Sequence, residues 1–268
     1  MRELGARRSA SGEDAGFGGD GATRPLRSRR RSGVARVLAK IVLALVVVFV
    51  VAVGLLFLLT PSAGQATAIV QQQAREHHIG YPGPPVPPYF AQALVATEDH
   101  RFYSDPGVDP YALARVLGSW VIGHRDQGGS TLDQQLAKNL FTSGRSGVAQ
   151  VLEQVAMAIK LSRAYSRTEI LQMYAEIAYY GHGYYGLDAA SCGYFGVPPA
   201  QLTLPQAAML AGAVNAPSYD DPLAYPRQAR ARLVHVIGRM AAVGDLTTAQ
   251  EDAALRAPLG LSAVRGCR

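Results

Sequence analysis

The 268-residue chain is poor in features that mark several protein classes. It has two cysteines, one tryptophan, no internal repeat and no useful run in which apolar and polar residues alternate. Two cysteines, Cys192 and Cys267, allow one disulfide at most and exclude a disulfide framework. Cys192 sits in a helical pattern and Cys267 is the penultimate residue of a loose tail, so Cys192 reads as a small buried apolar residue. No Cys/His cluster has zinc spacing, which argues against a protein-held transition metal. Missing alternation argues against a β domain. Apolar residues instead recur at helical spacing, and the expected fold class is mainly α.

Charge is scarce outside the N-terminus. Residues 1–40 hold nine arginines and Lys40 against only Glu3, Glu13, Asp14 and Asp20. A Gly/Ser/Arg-rich tail with few large apolar residues is expected to be disordered. A nucleic-acid-binding arm is the competing reading, but the next stretch favours a topogenic role. Ile41 to Leu59 carries no charge and no strongly polar side chain. Nineteen residues at ~1.5 Å each nearly span the ~30 Å of a bilayer core. The run is too long for a signal-peptide core, and SAGQATA, from Ser62 to Ala68, is a faint cleavage match. Basic residues before the run place the N-terminus in the cytoplasm and residues 60–268 outside. The expected organisation is a basic tail (1–40), a single membrane helix (41–60), a Pro-rich linker (61–84), a helical domain (85–256) and a loose tail (257–268).

Within the linker, YPGPPVPPY from Tyr81 to Tyr89 resists helix and favours an extended, stiff path. It reads as a spacer, with a polyproline ligand as the alternative. Helices are expected from Asp109 with Pro110 at its first position to about Ile122, from Ser146 to Arg163, and from the Ser166/Glu169 capping box to Tyr179. The first ends near Trp120, in core or at the membrane surface. A small-residue helix follows Leu202. Another runs from Arg227 to Val243 with Arg227, Arg230 and Arg239 outward, and Thr247 caps a last short one.

Chemistry concentrates in two stretches. TEDHRFYSDPGVD, from Thr97 to Asp109, places Glu98 and Asp99 where an apolar helical pattern ends. A carboxylate there can be wet on one side and desolvated on the other, a setting that makes Glu a usable general base. GGSTLDQQLAKNLF, from Gly128 to Phe141, supplies Ser130 and Thr131 to cap a helix, then Gln134, Gln135 and Lys138. Amides for sugar hydroxyls and an ammonium for phosphate suit transfer of a phosphorylated sugar.

These motifs, with Glu153, SRTEILQMYAEIAYYGHGYYG and AASCGYFG…LTLPQAAMLAGAVNAPS, resemble the peptidoglycan glycosyltransferases over about residues 85–255. With no transpeptidase domain before Arg268, the chain resembles the monofunctional members. The resemblance implies a lysozyme-like, two-lobed helical fold with a cleft and a membrane-touching lobe. It implies lipid II and nascent glycan as substrates, the cell membrane as location, cell-wall synthesis proteins as partners and no nucleic acid. Glu98 would take the proton of the acceptor's 4-hydroxyl, which attacks C1 of the donor with inversion and expels undecaprenyl diphosphate. Asp99 would orient this region and Phe102 belongs with the substrate-binding set. Ser130, Thr131, Gln134 and Gln135 would line the donor side, and Lys138 and Arg145 would lie near the diphosphate. Glu153 would be the second acid, with Mg²⁺ or another divalent cation implied there.

Three departures from the family pattern stand out: Asp105 replaces a His, Ala149 and Gln150 replace Arg-Lys, and Ala175-Glu176 replaces Leu-Asn. Two lost cations and two gained acids are expected to weaken the hold on a diphosphate. They also keep open a weak or inactive scaffold. A lytic muramidase would share the fold but has no need of the diphosphate cations. The topology is testable: protease outside intact cells should reach residues beyond Thr60, and attack confined to the tail would reverse the assignment.

Overall fold

The computed structural model describes residues 28–111 and 130–262, with side chains from residue 34 onward. The tail up to residue 27, most of the helix expected after Asp109 with Trp120, and the chain beyond residue 262 lie outside the described residues. The chain divides into two compact units, Met1–Ala52 and Val53–Arg268.

Helix α1, Ser28–Leu59, contains the apolar run and is the one helix among the described residues long and apolar enough to cross a membrane. It starts well before Ile41, so residues 28–40 are helical rather than disordered. Once the apolar run has nucleated a helix, adding residues costs little, and Ala35, Arg36, Leu38, Ala39 and Lys40 are good helix formers. Its apolar side chains, Leu43 to Val51 among them, are exposed, as lipid contact requires.

The second unit is helical, with no strand beyond an isolated bridge between Tyr179 and Tyr185 among the described residues. Its helices are α2 (Ala66–Glu76), α3 (Pro88–Glu98), α4 (Leu132–Phe141), α5 (Val148–Ala164), α6 (Arg167–Ile177), α7 (Leu187–Phe195), α8 (Leu204–Ala213), α9 (Pro226–Ala242) and α10 (Thr248–Arg256). The boundaries follow cap chemistry. Thr131, Ser166, Thr203 and Thr247 each open a helix through a reciprocal capping box with Gln134, Glu169, Gln206 and Gln250. Helices α3, α8 and α9 pack on one another, with α10 against α9; α4 packs on α5 and α6, and α2 on α6. Phe90, Leu94, Leu136, Met157, Ile170, Leu210 and Leu233 are fully buried between them. Each such side chain stabilises the fold by about 1.5–3 kcal/mol.

Residues 61–84 are not a bare linker. Val70 and Ala66 of α2 are buried in the core, and Gln73 Nε2 donates to Asn139 O at 3.2 Å. The proline run docks on α6 through its few backbone donors. Gly83 N donates to Glu176 Oε1 at 2.7 Å and Val86 N to Gln172 Oε1 at 3.1 Å, while Gln172 Nε2 donates to Pro84 O at 2.9 Å. Prolines offer no N–H, so satisfying these two donors fixes an otherwise unpaired segment. Glu176 is thus a docking residue for the proline run, not an acid set against a diphosphate.

The tail also differs from expectation. Ser262 N donates to Tyr194 O at 2.8 Å and Gln206 Nε2 to Leu259 O at 2.9 Å, so residues 257–262 lie on the domain. Cys192 is disulfide-bonded rather than a free buried thiol. The sequence has one other cysteine, Cys267, outside the described residues.

The loop after α3 passes so near α5 that only glycine fits at 107. Its φ is +92°, and a Cβ there would lie 2.6 Å from Ala158 O and 2.7 Å from Ser162 Cβ. Gly107→Ala should therefore destabilise by at least about 1–3 kcal/mol through backbone strain alone. Thermal unfolding checks this, and an unchanged midpoint would contradict the close approach.

Candidate active site

Glu98 is the last residue of α3, and its side chain is only 6% exposed. The half-wet carboxylate expected from the sequence is instead enclosed by partners from three other elements. Arg232 Nη2, from α9, donates to Oε1 at 2.7 Å. Gln135 Nε2, from the first turn of α4, donates to Oε2 at 3.2 Å. Asn215 Nδ2, just after α8, lies 3.3 Å from Oε2 and 3.5 Å from Oε1. One oxygen is therefore held by a cation and the other only by amides at longer range. Oε2 is the atom positioned to exchange an amide contact for a substrate hydroxyl.

Each partner is held in turn. Tyr174 OH donates to Gln135 Oε1 at 2.9 Å, which fixes the amide so that its N–H faces Glu98. Burial, and then the charge of Glu98, push the Tyr174 phenol well above its ordinary pKa, so it remains a neutral donor. Arg232 Nε donates to Gly212 O at 3.1 Å. Gly212 is also where the arginine stem crosses α8: a Cβ there would meet Arg232 Cγ at 2.9 Å and Val236 Cγ2 at 3.1 Å. Arg232 and Asn215 were missed by sequence reasoning. The available signal for Arg232 was a cation beside the buried stripe Ala229, Leu233, Val236, facing the small-residue helix.

The other candidates separate into three groups. Asp99 and Phe102 do not present surfaces to a substrate. Asp99 is buried and its Oδ2 accepts from Leu132 N at 3.0 Å. Phe102 is fully buried beneath the Arg167 guanidinium, 5.0 Å from its ring centroid. Thr131 and Gln134 build the start of α4: Thr131 Oγ1 donates to Gly107 O at 2.7 Å, and Gln134 Oε1 accepts from Thr131 N at 3.0 Å. Ser130 is exposed beside them.

The third group carries the charge. Lys138 is exposed, three residues beyond Gln135 and so about 4.5 Å further along α4. Arg145 Nη2 donates to Phe141 O at the end of α4 and to both Glu153 oxygens at 3.0 Å. Arg145 is about half exposed, and Glu153 less so at 18%. From Glu98 outward, α4 therefore leads past an amide pair and Lys138 to Arg145 and Glu153.

Residues 64–241 match the family described as Transglycosylase. A protein of Cupriavidus necator named as a transglycosylase is 37% identical over 176 residues, covering 66% of this chain and 76% of its own length. Penicillin-binding protein 1A of Escherichia coli K12 is 39% identical over 168 residues, 62% of this chain but 20% of that protein. In a solved structure of penicillin-binding protein 1A from Haemophilus influenzae, 50% of this chain aligns with 17% of that one at 27% identity, with a TM-score of 0.35. The chain belongs to the transglycosylase family and is a glycosyltransferase of peptidoglycan synthesis.

Breaking a buried ion pair by removing one partner costs about 3–5 kcal/mol, because a charge is left uncompensated. Arg232→Met should therefore lower the thermal midpoint clearly, whereas Arg227→Met on the exposed start of α9 should not. Equal midpoints for the two variants would remove Arg232 from the site.

Proposed function

We propose that this chain polymerises glycan strands, transferring the growing undecaprenyl-diphosphate-linked glycan onto the 4-hydroxyl of lipid II with inversion. The carrying observation is the split environment of Glu98. Arg232 fixes Oε1, while Oε2 meets only two amides, so an incoming hydroxyl can replace one and hand over its proton there. Proton removal makes the hydroxyl oxygen nucleophilic as it attacks C1 of the donor sugar. Gln135 reaches that point from the start of α4, which Gln134 holds in place through the capping box.

Charge growing on the departing diphosphate needs stabilisation that strengthens in the transition state. Lys138, further along the same helix, and Arg145, in the loop that follows it, supply it. Arg145 bonded to Glu153 is held in place without losing exposure. Mg²⁺ characteristically takes one or two protein carboxylates and completes its shell with phosphate oxygens and water. Glu153 offers one such carboxylate, and with an ion bound it would share its oxygens between the ion and Arg145. Membrane anchoring through α1, with the N-terminus cytoplasmic, sets this site beside a lipid-linked substrate. Ala149 and Gln150 lie in the first turn of α5, one helical turn before Glu153, so the two lost cations thin the charge at its outer end. That thinning supports a slower enzyme, or at the limit a scaffold.

Incubating the purified protein with lipid II separates these. Glu98→Gln keeps shape and an acceptor but cannot take a proton, so polymer should fall about 10²–10⁴-fold with lipid II binding retained. Arg145→Ala should weaken binding in a way that added salt masks. Equal polymer from wild type and Glu98→Gln would rule out this base. No polymer from either would favour the scaffold.

A further inference from the structure

Beneath the start of α4 lies a cluster that the transfer reaction does not use. Asp99, Asp105 and Asp133 are all buried, and one carboxylate oxygen from each lies within 4.8 Å of the others. Among the described residues, the one cation in contact with the cluster is Arg167 of α6, which meets Asp133 and Asp105. Its Nη1 donates to both Asp133 oxygens, at 3.2 and 2.9 Å. Its Nη2 donates to Asp105 O and to Ser162 Oγ of α5, and lies 3.9 Å from Asp105 Oδ1. The neighbouring Arg101 is paired with Asp109, and Glu98 is paired with Arg232. Leu132 N occupies Asp99 Oδ2 and Gly107 N occupies Asp105 Oδ1. Asp105 Oδ2 remains, sealed from solvent with no hydrogen-bond partner, in a residue 8% exposed.

Three buried carboxylates against one guanidinium are not stable as three anions. A buried oxygen lacking a donor beside a second carboxylate asks for a hydrogen between them. We infer that Asp105 is a positioning residue that shares one proton with Asp99, and that this acid pair clamps the start of α4 to the end of α3. The consequence for polymerisation rests on the function proposed above. Asp99 ties to Leu132 N, and Thr131 ties to Gly107 O, so the clamp sets the distance between Gln135 and Glu98. Losing the proton leaves two facing anions and loosens that joint.

A divalent ion is a poorer occupant. Four of the six oxygens already accept N–H groups, leaving one each from Asp99 and Asp105, whereas Ca²⁺ takes six to eight oxygens and Mg²⁺ six. Supporting the proton, burial raises the pKa of Asp99 to about 7; the bond from Leu132 N opposes the rise, and the nearby charges of Asp105 and Asp133 add to it. Burial likewise raises Asp133 to about 6, although Arg167 opposes it. A raised acid pKa means the folded state binds protons that the unfolded state releases. The stability this gives is present at low pH and is lost as pH rises from about 4 through about 7.

Asp105→Asn tests the assignment. The amide carbonyl keeps the bond from Gly107 N, and the NH₂ replaces the shared proton permanently. Thermal unfolding of the full chain from pH 5 to 8.5, in EDTA and again with Mg²⁺, is the first readout. The wild-type midpoint should fall with rising pH more steeply than that of Asp105→Asn, which should be the more stable at pH 8. The alkaline limb of polymerisation should move to higher pH in the variant. Parallel pH dependences for the two proteins would overturn the shared proton. A midpoint raised by Mg²⁺ in wild type alone would overturn it in favour of a metal. The expected midpoints without polymer from either protein would leave the proton assigned and refute the polymerase reading instead.

Discussion

The buried ion pair between Glu98 and Arg232 is the constraint on which the site depends. Removing a carboxylate and a guanidinium from water costs several kcal/mol per ion, recovered only with short, well-aimed contacts. The fold supplies them by packing α3, α8 and α9 on one another with a glycine at the crossing. Gly212 lets the Arg232 stem run flat against α8 and gives its carbonyl to Nε, so the guanidinium reaches Glu98 already oriented. Asn215 follows from the same arrangement because it is placed directly after α8. The pair thus links three helices and leaves one oxygen of Glu98 for chemistry.

The second requirement is a joint between two groups of helices. Glu98 belongs to the group of α3, α8 and α9, while Gln135, Tyr174 and the cations belong to α4, α5 and α6. Few links cross near the site: Gln135 to Glu98, Leu132 N to Asp99, Thr131 to Gly107, and Arg167 to Asp105. All converge on the first turn of α4, where the capping box and Gly107 fix the backbone. Charge is therefore zoned along α4. A buried, partly neutralised acid cluster lies under its start, and exposed cations follow towards its end. A base at one end and countercharge at the other suit a reaction in which a proton leaves one oxygen and negative charge accumulates on another.

Much of this was legible in the sequence, for identifiable reasons. Capping boxes at Thr131, Ser166 and Thr247 are local signals read within four residues, and the helices begin there. Glu98, Gln135, Lys138, Arg145 and Glu153 come from short motifs whose residue types match their chemistry. Tertiary relations were not legible. Arg232 lies 134 positions from Glu98, and its neighbours Arg227, Arg230 and Arg239 made the helix read as uniformly cationic on its outer side. Phe102 and Asp99 lie inside the first motif yet face inward, because a motif holds packing residues as well as reactive ones. Glu176 read as an added acid against a diphosphate; it accepts from Gly83 N of the proline run 93 residues away, while Gln172 takes Val86 N. The engaged Cys192 and the docked residues 257–262 show the same limit, since nothing local marks where a tail returns.

The most direct measurement is a double-mutant cycle on polymerisation of lipid II, with Glu98→Gln, Arg232→Gln and both together, read as kcat/KM. If Arg232 acts by holding Glu98 as the base, its effect should vanish once Glu98 is gone. The double variant should then be about as slow as Glu98→Gln alone. Losses that multiply independently would contradict the central pair.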